Sequence, residues 1–192
     1  MPNAVSEDVS RAGSTALSGA ASDGFGDTSD GVSIGHPSVA DGAALWRLAK
    51  ESRTLDVNSS YSYLLWCRDF AATSVVARDA AGEPVGFVTG YVRPERPGTL
   101  LVWQVAVDAG HRGRGLAARL LDALTDRVAA EQDVTNLETT ITPGNTASER
   151  LFTSFADRHG ASCEREVLFA GEQFPDGPHD PEVLYRIGPF AR

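Results

Sequence analysis

The chain has 192 residues, 42% of them hydrophobic, and carries 26 acidic against 17 basic residues for a net charge of −9. That length and apolar content suit one domain with a real core, and the acidic balance argues against a general nucleic-acid binder, which shows a basic face. Two cysteines without C-x-x-C spacing and four scattered histidines speak against a bound metal, and with no apolar run of roughly 18 residues and no secretory start the expectation is a cytoplasmic protein that does not enter a membrane.

Residues 1–30 are mostly Ser, Ala, Gly and Asp with few large apolar side chains, so they are expected to stay disordered and to leave residues 31–192 as the folded domain. Val32 to Ile34 reads as a first strand, ended by His36-Pro37-Ser38. Asp41 stands as N-cap to a helix over Ala43 to Ser52, with Leu45, Leu48 and Ala49 on one face. After the polar break from Leu55 to Ser60, Tyr61 to Phe70 reads as a second helix, apolar on most sides and so expected to be buried. Thr73 to Arg78 and Val85 to Val92 form a hairpin around Ala80-Ala81-Gly82-Glu83-Pro84. Pro94 to Gly98 is a loop, and Leu100 to Val107 is a strand rich in β-branched and aromatic residues. A long helix follows over Gly113 to Ala130, then a strand over Asn136 to Thr142, parallel to Leu100–Val107. Ala147 to His159 is a helix closed by Gly160, and Arg165 to Ala170 and Glu182 to Ile187 are the last strands.

The junction of the central strand and the long helix carries the chemistry. Arg112-Gly113-Arg114-Gly115-Leu116-Ala117 fits R-x-x-G-x-A just where a helix begins. Unpaired N–H groups and the dipole at a helix N-terminus favour an anion. Glycines let the backbone approach a pyrophosphate, and two arginines add positive charge to an acidic chain. A rival pattern, G-x-G-x-x-A over Gly113 to Ala118, is the dinucleotide fingerprint; it needs its first glycine directly after a strand within repeated βαβ units. Here five residues separate Val107 from Gly113, and no second unit follows. A plain glycine-rich turn is the bland alternative.

The loop resembles the acetyl-CoA-binding motif of the Gcn5-related N-acetyltransferase superfamily, whose α/β fold is a mixed central sheet flanked by helices. The resemblance runs over roughly residues 31–190. It implies acetyl-CoA as co-substrate and cofactor contacts from Arg112, Gly113, Arg114, Gly115, Leu116 and Ala117. It also implies that the two central strands splay, freeing backbone groups of Val105 and Val107 for the pantetheine arm, with the Val105 N–H as oxyanion donor. Asn145 matches the asparagine beside that arm; its bland reading is a helix cap. Phe152 stands where many members carry a tyrosine that protonates the leaving thiolate, so that role stays unassigned.

A narrower resemblance rests on Leu55-Asp56-Val57-Asn58-Ser59-Ser60-Tyr61-Ser62-Tyr63-Leu64-Leu65, Trp103-Gln104-Val105, Leu137-Glu138-Thr139 and His179-Asp180-Pro181-Glu182. These are similar to the diaminobutyrate acetyltransferases of ectoine biosynthesis. The likeness implies L-2,4-diaminobutyrate as acceptor, transfer to its 4-amino group, and a homodimer, with which the apolar helix at Tyr61 to Phe70 is compatible. An acceptor with two ammonium groups and one carboxylate needs acidic side chains and a donor. Asp56, Asn58, Trp103, Gln104 and Glu182 are the candidate substrate contacts, and Glu138 and Asp56 the candidate bases. Each has a bland reading: Asp56 as a loop cap, Trp103 as core, Glu182 as a solvated strand residue. Cys67 lies in an apolar helix and is expected to be inert.

Overall fold

The computed structural model describes residues 24–25, 29–175 and 177–190. Eight strands form one sheet: β1 (Gly24–Phe25), β2 (Ser33–Gly35), β3 (Val75–Arg78), β4 (Pro84–Arg93), β5 (Arg96–Val107), β6 (Asn136–Ile141), β7 (Ser162–Phe169) and β8 (Glu182–Gly188), in the order β1-β2-β3-β4-β5-β6-β8-β7. Every neighbouring pair is antiparallel except β5 and β6, which the long helix connects in parallel. The helices are α1 (Gly42–Ser52), α2 (Ser60–Asp69), α3 (Leu116–Gln132) and α4 (Thr146–Arg158). This is the expected mixed α/β sheet. Among the described residues, no helix is long and apolar enough to cross a membrane.

The sheet is covered on both faces, which explains why successive residues of β3 and β4, Val75 to Ala77 and Val85 to Gly90, are buried instead of alternating. On one side Leu120, Leu121, Leu124 and Val128 of α3 and Phe152 and Phe155 of α4 pack with Val75, Val88, Leu100 and Val102. On the other, Leu45, Leu48 and Ala49 of α1 and Tyr63 and Cys67 of α2 meet Val76, Phe87 and Ala106. The facing of β5 switches partway. Thr89 pairs with Gln104 but Gly90 pairs with Val102, so Trp103 is the extra residue of a β-bulge. Before it, Leu100 and Val102 face α3; after it, Val105 and Val107 do, while Gln104 and Ala106 turn to α1 and α2. A Cβ at Gly90 would sit 2.6 Å from the Leu101 carbonyl oxygen, so the bulge needs glycine opposite it.

Several boundaries differ from expectation. The loop at 94–98 is a two-residue turn, Pro94 and Glu95, and β5 begins at Arg96. Helix α3 begins at Leu116, because Gly113 and Gly115 both take positive φ. Strand β7 spans Ser162–Phe169 rather than 165–170. Helix α2 is not buried on most sides: only Tyr63 and Cys67 are, while Tyr61 is 65% exposed and Leu64 and Phe70 also reach the surface. One packed helix cannot bury both faces, and here the sheet takes the Tyr63–Cys67 stripe. The expected tail over 1–30 lies largely outside the described residues; within it, Phe25 pairs with Ile34 and Gly24 with Gly35.

Asp41 occupies the N-cap position of α1 but makes no side-chain cap bond. Its carboxylate turns back to the Ser38 N–H and hydroxyl and accepts a two-pronged bond from Arg78, at 2.6 and 2.8 Å. Burial alone raises a carboxyl group's pKa; the Arg78 and Ser38 bonds outweigh it and hold Asp41 below its ordinary value. A group lowered in this way contributes stability that is full above the ordinary value of 3.8 and is lost as pH falls through the lowered one. Arg78→Met leaves the buried carboxylate without its cation, and losing one partner of such a pair costs about 3 kcal/mol. For a domain of this size that lowers the melting temperature by roughly 6–12 °C, a shift that calorimetry at pH 7 checks.

Candidate active site

The site begins where β5 and β6 part. Thr99, Leu100 and Leu101 pair with Asn136, Leu137 and Glu138, and no pair forms beyond them, although β5 runs on to Val107 and β6 to Ile141. The facing edges of both strands are left without a strand partner, and a cleft opens between them. Its outer half is a slot of 250 Å³ against Val105, Ala106, Val107, Arg112, Ala117, Asn145 and Leu151. Its inner half is a pocket of 230 Å³ that includes Asp56, Asn58, Trp103, Gln104, Val105, Phe152 and Glu182. Val105, Asn145 and Ser148 border both.

At the slot's outer end, Gly113 and Gly115 both have φ near +75°, and a Cβ at either would meet nothing within 4 Å. Their conformation, not internal crowding, requires glycine, and the space beside them is open to a ligand. The first N–H groups of α3 emerge there without an intrahelical acceptor. The Arg112 Nε donates to the Val107 carbonyl at 2.9 Å, tying the loop to the end of β5. Two of the loop residues point elsewhere. Arg114 lines a separate cavity with His111 and Arg119, and the Leu116 side chain is buried in the α3 core, so only its backbone faces the loop. Asn145 Oδ1 accepts from the Ser148 N–H at 3.1 Å, so the cap reading holds while the residue also lies where slot meets pocket.

At the inner end the structure brings Asp56 and Glu182 together, and adds His179, which the sequence reading gave no role. One ligand atom from each lies within 4.8 Å of the others. Asp56 comes from the loop after α1, His179 and Glu182 from the β7–β8 connection and the start of β8. His179 stacks on Phe174 at 3.8 Å between ring centroids, which fixes its ring. Trp103, thrown outward by the bulge, packs against Trp66 in a tilted pair 4.6 Å between ring centroids, and Trp66 against Phe70 in the same way. Gln104 borders the pocket, but its amide is engaged: the oxygen accepts from Tyr63 and the nitrogen donates to the Asp56 carbonyl.

Glu138 is not brought to the cleft. It pairs with Leu101 in the half of β6 where the strands are still joined. Its carboxylate, 3% exposed, is held by Arg93, Arg96 and Arg186. A carboxylate caged by three guanidinium groups is a structural ion pair, not a base for an amine. Cys67 is buried, and burial, with the Asp41 charge added to it, pushes its thiol up to about 12. That removes an acyl-cysteine route. Phe152 lines the pocket and is 2% exposed, so no hydroxyl stands at that position.

The acetyltransferase (GNAT) family profile matches residues 43–156. An L-2,4-diaminobutyric acid acetyltransferase from Streptomyces avermitilis is 74% identical over 162 residues, covering 84% of this chain and 90% of the relative. The chain belongs to the diaminobutyrate acetyltransferases of the GNAT family. A second relative of the same description, from Streptomyces coelicolor, is 71% identical over 160 residues, 83% of this chain and 94% of that one. A solved diaminobutyrate acetyltransferase from Paenibacillus lautus, in complex with its substrate L-2,4-diaminobutyric acid and coenzyme A, superposes with a TM-score of 0.79 at 38% identity, covering 84% of this chain and 96% of that one. Membership of this family makes acetyl-CoA the co-substrate. The splayed strands, the open glycine loop and the α3 N-terminus are the parts of this chain that fit its pantetheine arm and pyrophosphate.

Proposed function

We propose that this chain transfers the acetyl group of acetyl-CoA to the 4-amino group of L-2,4-diaminobutyrate, the acetylation step of ectoine biosynthesis. The observation that carries the acceptor is the Asp56–Glu182 pair, with His179 beside it, facing the strand edge at Val105. Two carboxylates complement a dicationic acceptor, and the neutral donors of Thr54, Asn58 and Thr140 in the same pocket suit its carboxylate.

In the reaction a C–N bond forms and the C–S bond of the thioester breaks; the ammonium nitrogen loses two protons, one before attack and one after it, of which the thiolate takes up one and solvent the other. The protein's part is to hold the acceptor, take its proton and stabilise the developing oxyanion. A primary amine has a reference pKa of about 10.4, so it arrives protonated. Asp56 and Glu182 bind that ammonium and take its first proton, and the neutral amine so formed is the nucleophile. The Val105 backbone N–H, freed by the splay, is the donor for the oxyanion. The Val107 backbone and Asn145 guide the pantetheine arm. A homodimer in the cytoplasm belongs to the same reading, supported by the exposed apolar residues Tyr61, Leu64 and Phe70 on the α2 side and Val167, Leu168 and Phe169 on the edge strand β7.

A thiol-release assay with acetyl-CoA and a panel of amines tests this. The highest kcat/KM is expected for diaminobutyrate, with ornithine, one methylene longer, at least about ten-fold lower, and nuclear magnetic resonance of the product is expected to find the acetyl group on N4. A better amine elsewhere in the panel would shift the substrate; release with none of them would leave an acyl-CoA-binding module without turnover.

A further inference from the structure

Tyr63 and Gln104 lie 41 residues apart and form one buried unit. The Tyr63 hydroxyl, on a residue 1% exposed, donates to Gln104 Oε1 at 3.0 Å, and Gln104 Nε2 donates to the Asp56 carbonyl at 2.9 Å. Tyr63 also meets Phe87 edge-on, which fixes its ring against the sheet. Burial pushes the Tyr63 hydroxyl above its usual range, outweighing the Gln104 and Asn58 bonds that act in the opposite sense, so it remains a donor at neutral pH. The other hydrogen bonds of the segment from 53 to 59 stay within it and α2: Ser52 Oγ accepts from the N–H groups of Thr54 and Leu55, Ser59 meets Ser62, and Asn58 meets the Tyr63 hydroxyl. Among the described residues, the hydrogen bond joining this loop to the sheet is the one from Gln104.

We infer that Tyr63 and Gln104 are positioning residues that hold the α1–α2 loop so that Asp56 faces Glu182 across the acceptor pocket. Gln104 acts through the Asp56 backbone, and Tyr63 acts through Gln104 and through Asn58 of the same loop. Gln104 thus supports the acceptor site as well as bordering it. A buried, hydrogen-bonded pair of this kind pre-organises a charged group that would otherwise sit on a loop held only by local bonds. The inference rests on the reading that Asp56 receives the amine.

Tyr63→Phe removes the hydroxyl and keeps the ring. One neutral hydrogen bond is lost, so KM for diaminobutyrate is expected to rise about five- to ten-fold, with KM for acetyl-CoA within two-fold of wild type. Amide hydrogen exchange over residues 54–59 is expected to speed up in the free protein, before any substrate is added. Gln104→Glu, which keeps an acceptor for Tyr63 but removes the donor to Asp56, should reproduce both effects. In an Asp56→Asn background, adding Tyr63→Phe should cost less than two-fold, because the two act on one interaction. Unchanged exchange over 54–59 in both variants, or a full additional loss in the double variant, would overturn the assignment. The exchange measurement needs no substrate. Faster exchange in a protein that does not acetylate diaminobutyrate therefore refutes the substrate reading and leaves the loop clamp standing.

Discussion

Gly115→Val is expected to raise KM for acetyl-CoA at least about 30-fold, the loss of one or two charge-assisted hydrogen bonds, while KM for the amine stays near wild type. Gly115 precedes α3 with φ at +75°, a conformation a β-branched residue enters only with strain. Relaxing that strain rotates the peptide units at the start of α3, whose N–H groups are the ones proposed to hold the pyrophosphate. The surroundings of a Cβ at this position are open, so the defect comes from backbone geometry and cofactor contact rather than from a crowded core. Kinetics in acetyl-CoA, with calorimetric binding of coenzyme A to the folded variant, measure it. Gly113→Ala, at the same φ but with a smaller side chain, is expected to follow in the same direction with a smaller effect. A folded Gly115→Val protein with wild-type KM for acetyl-CoA would remove the cofactor assignment from this loop.

Local chemistry made much of the fold legible. The R-x-x-G-x-A loop lies where strand passes to helix, and its glycines take the positive φ that their lack of a side chain permits. Gly160 ends α4 at φ +60°, as its place after a helical run implies. What depends on distant partners was not legible. Nothing in the spacing of β6 says where it parts from β5, so Glu138 read as a candidate base, though it sits in the joined half beneath three arginines while Thr140, two residues on, lines the pocket. The bulge at Trp103 reverses the facing of the rest of β5 and cannot be seen in an unbroken apolar run. His179 follows a Pro/Gly/Asp stretch that reads as a plain connection, and only the fold carries it beside Asp56. The apolar character of α2 was visible, but which of its stripes meets the sheet was not.

Asp56→Asn tests the acceptor assignment most directly, since it keeps the shape of the side chain and removes its charge. Asp56 borders the pocket within reach of Glu182 and His179, and its backbone is held by Gln104, so the substitution leaves the loop's anchor in place. A charge-assisted hydrogen bond covered by bound substrate contributes roughly 1.5–3 kcal/mol, which predicts a fall of about 10- to 150-fold in kcat/KM for diaminobutyrate. KM for acetyl-CoA should hardly move, because the Arg112–Gly115 loop proposed for the pyrophosphate lies at the other end of the cleft. If Asp56 were only a loop cap, the melting temperature would drop by the equivalent of about 1 kcal/mol and amine kinetics would stay within a few-fold. The decisive measurement is therefore kcat/KM for diaminobutyrate and melting temperature on this single variant. A loss of ten-fold or more at an unchanged melting temperature is the result predicted, and a lower melting temperature with near-wild-type amine kinetics is the result that would contradict it.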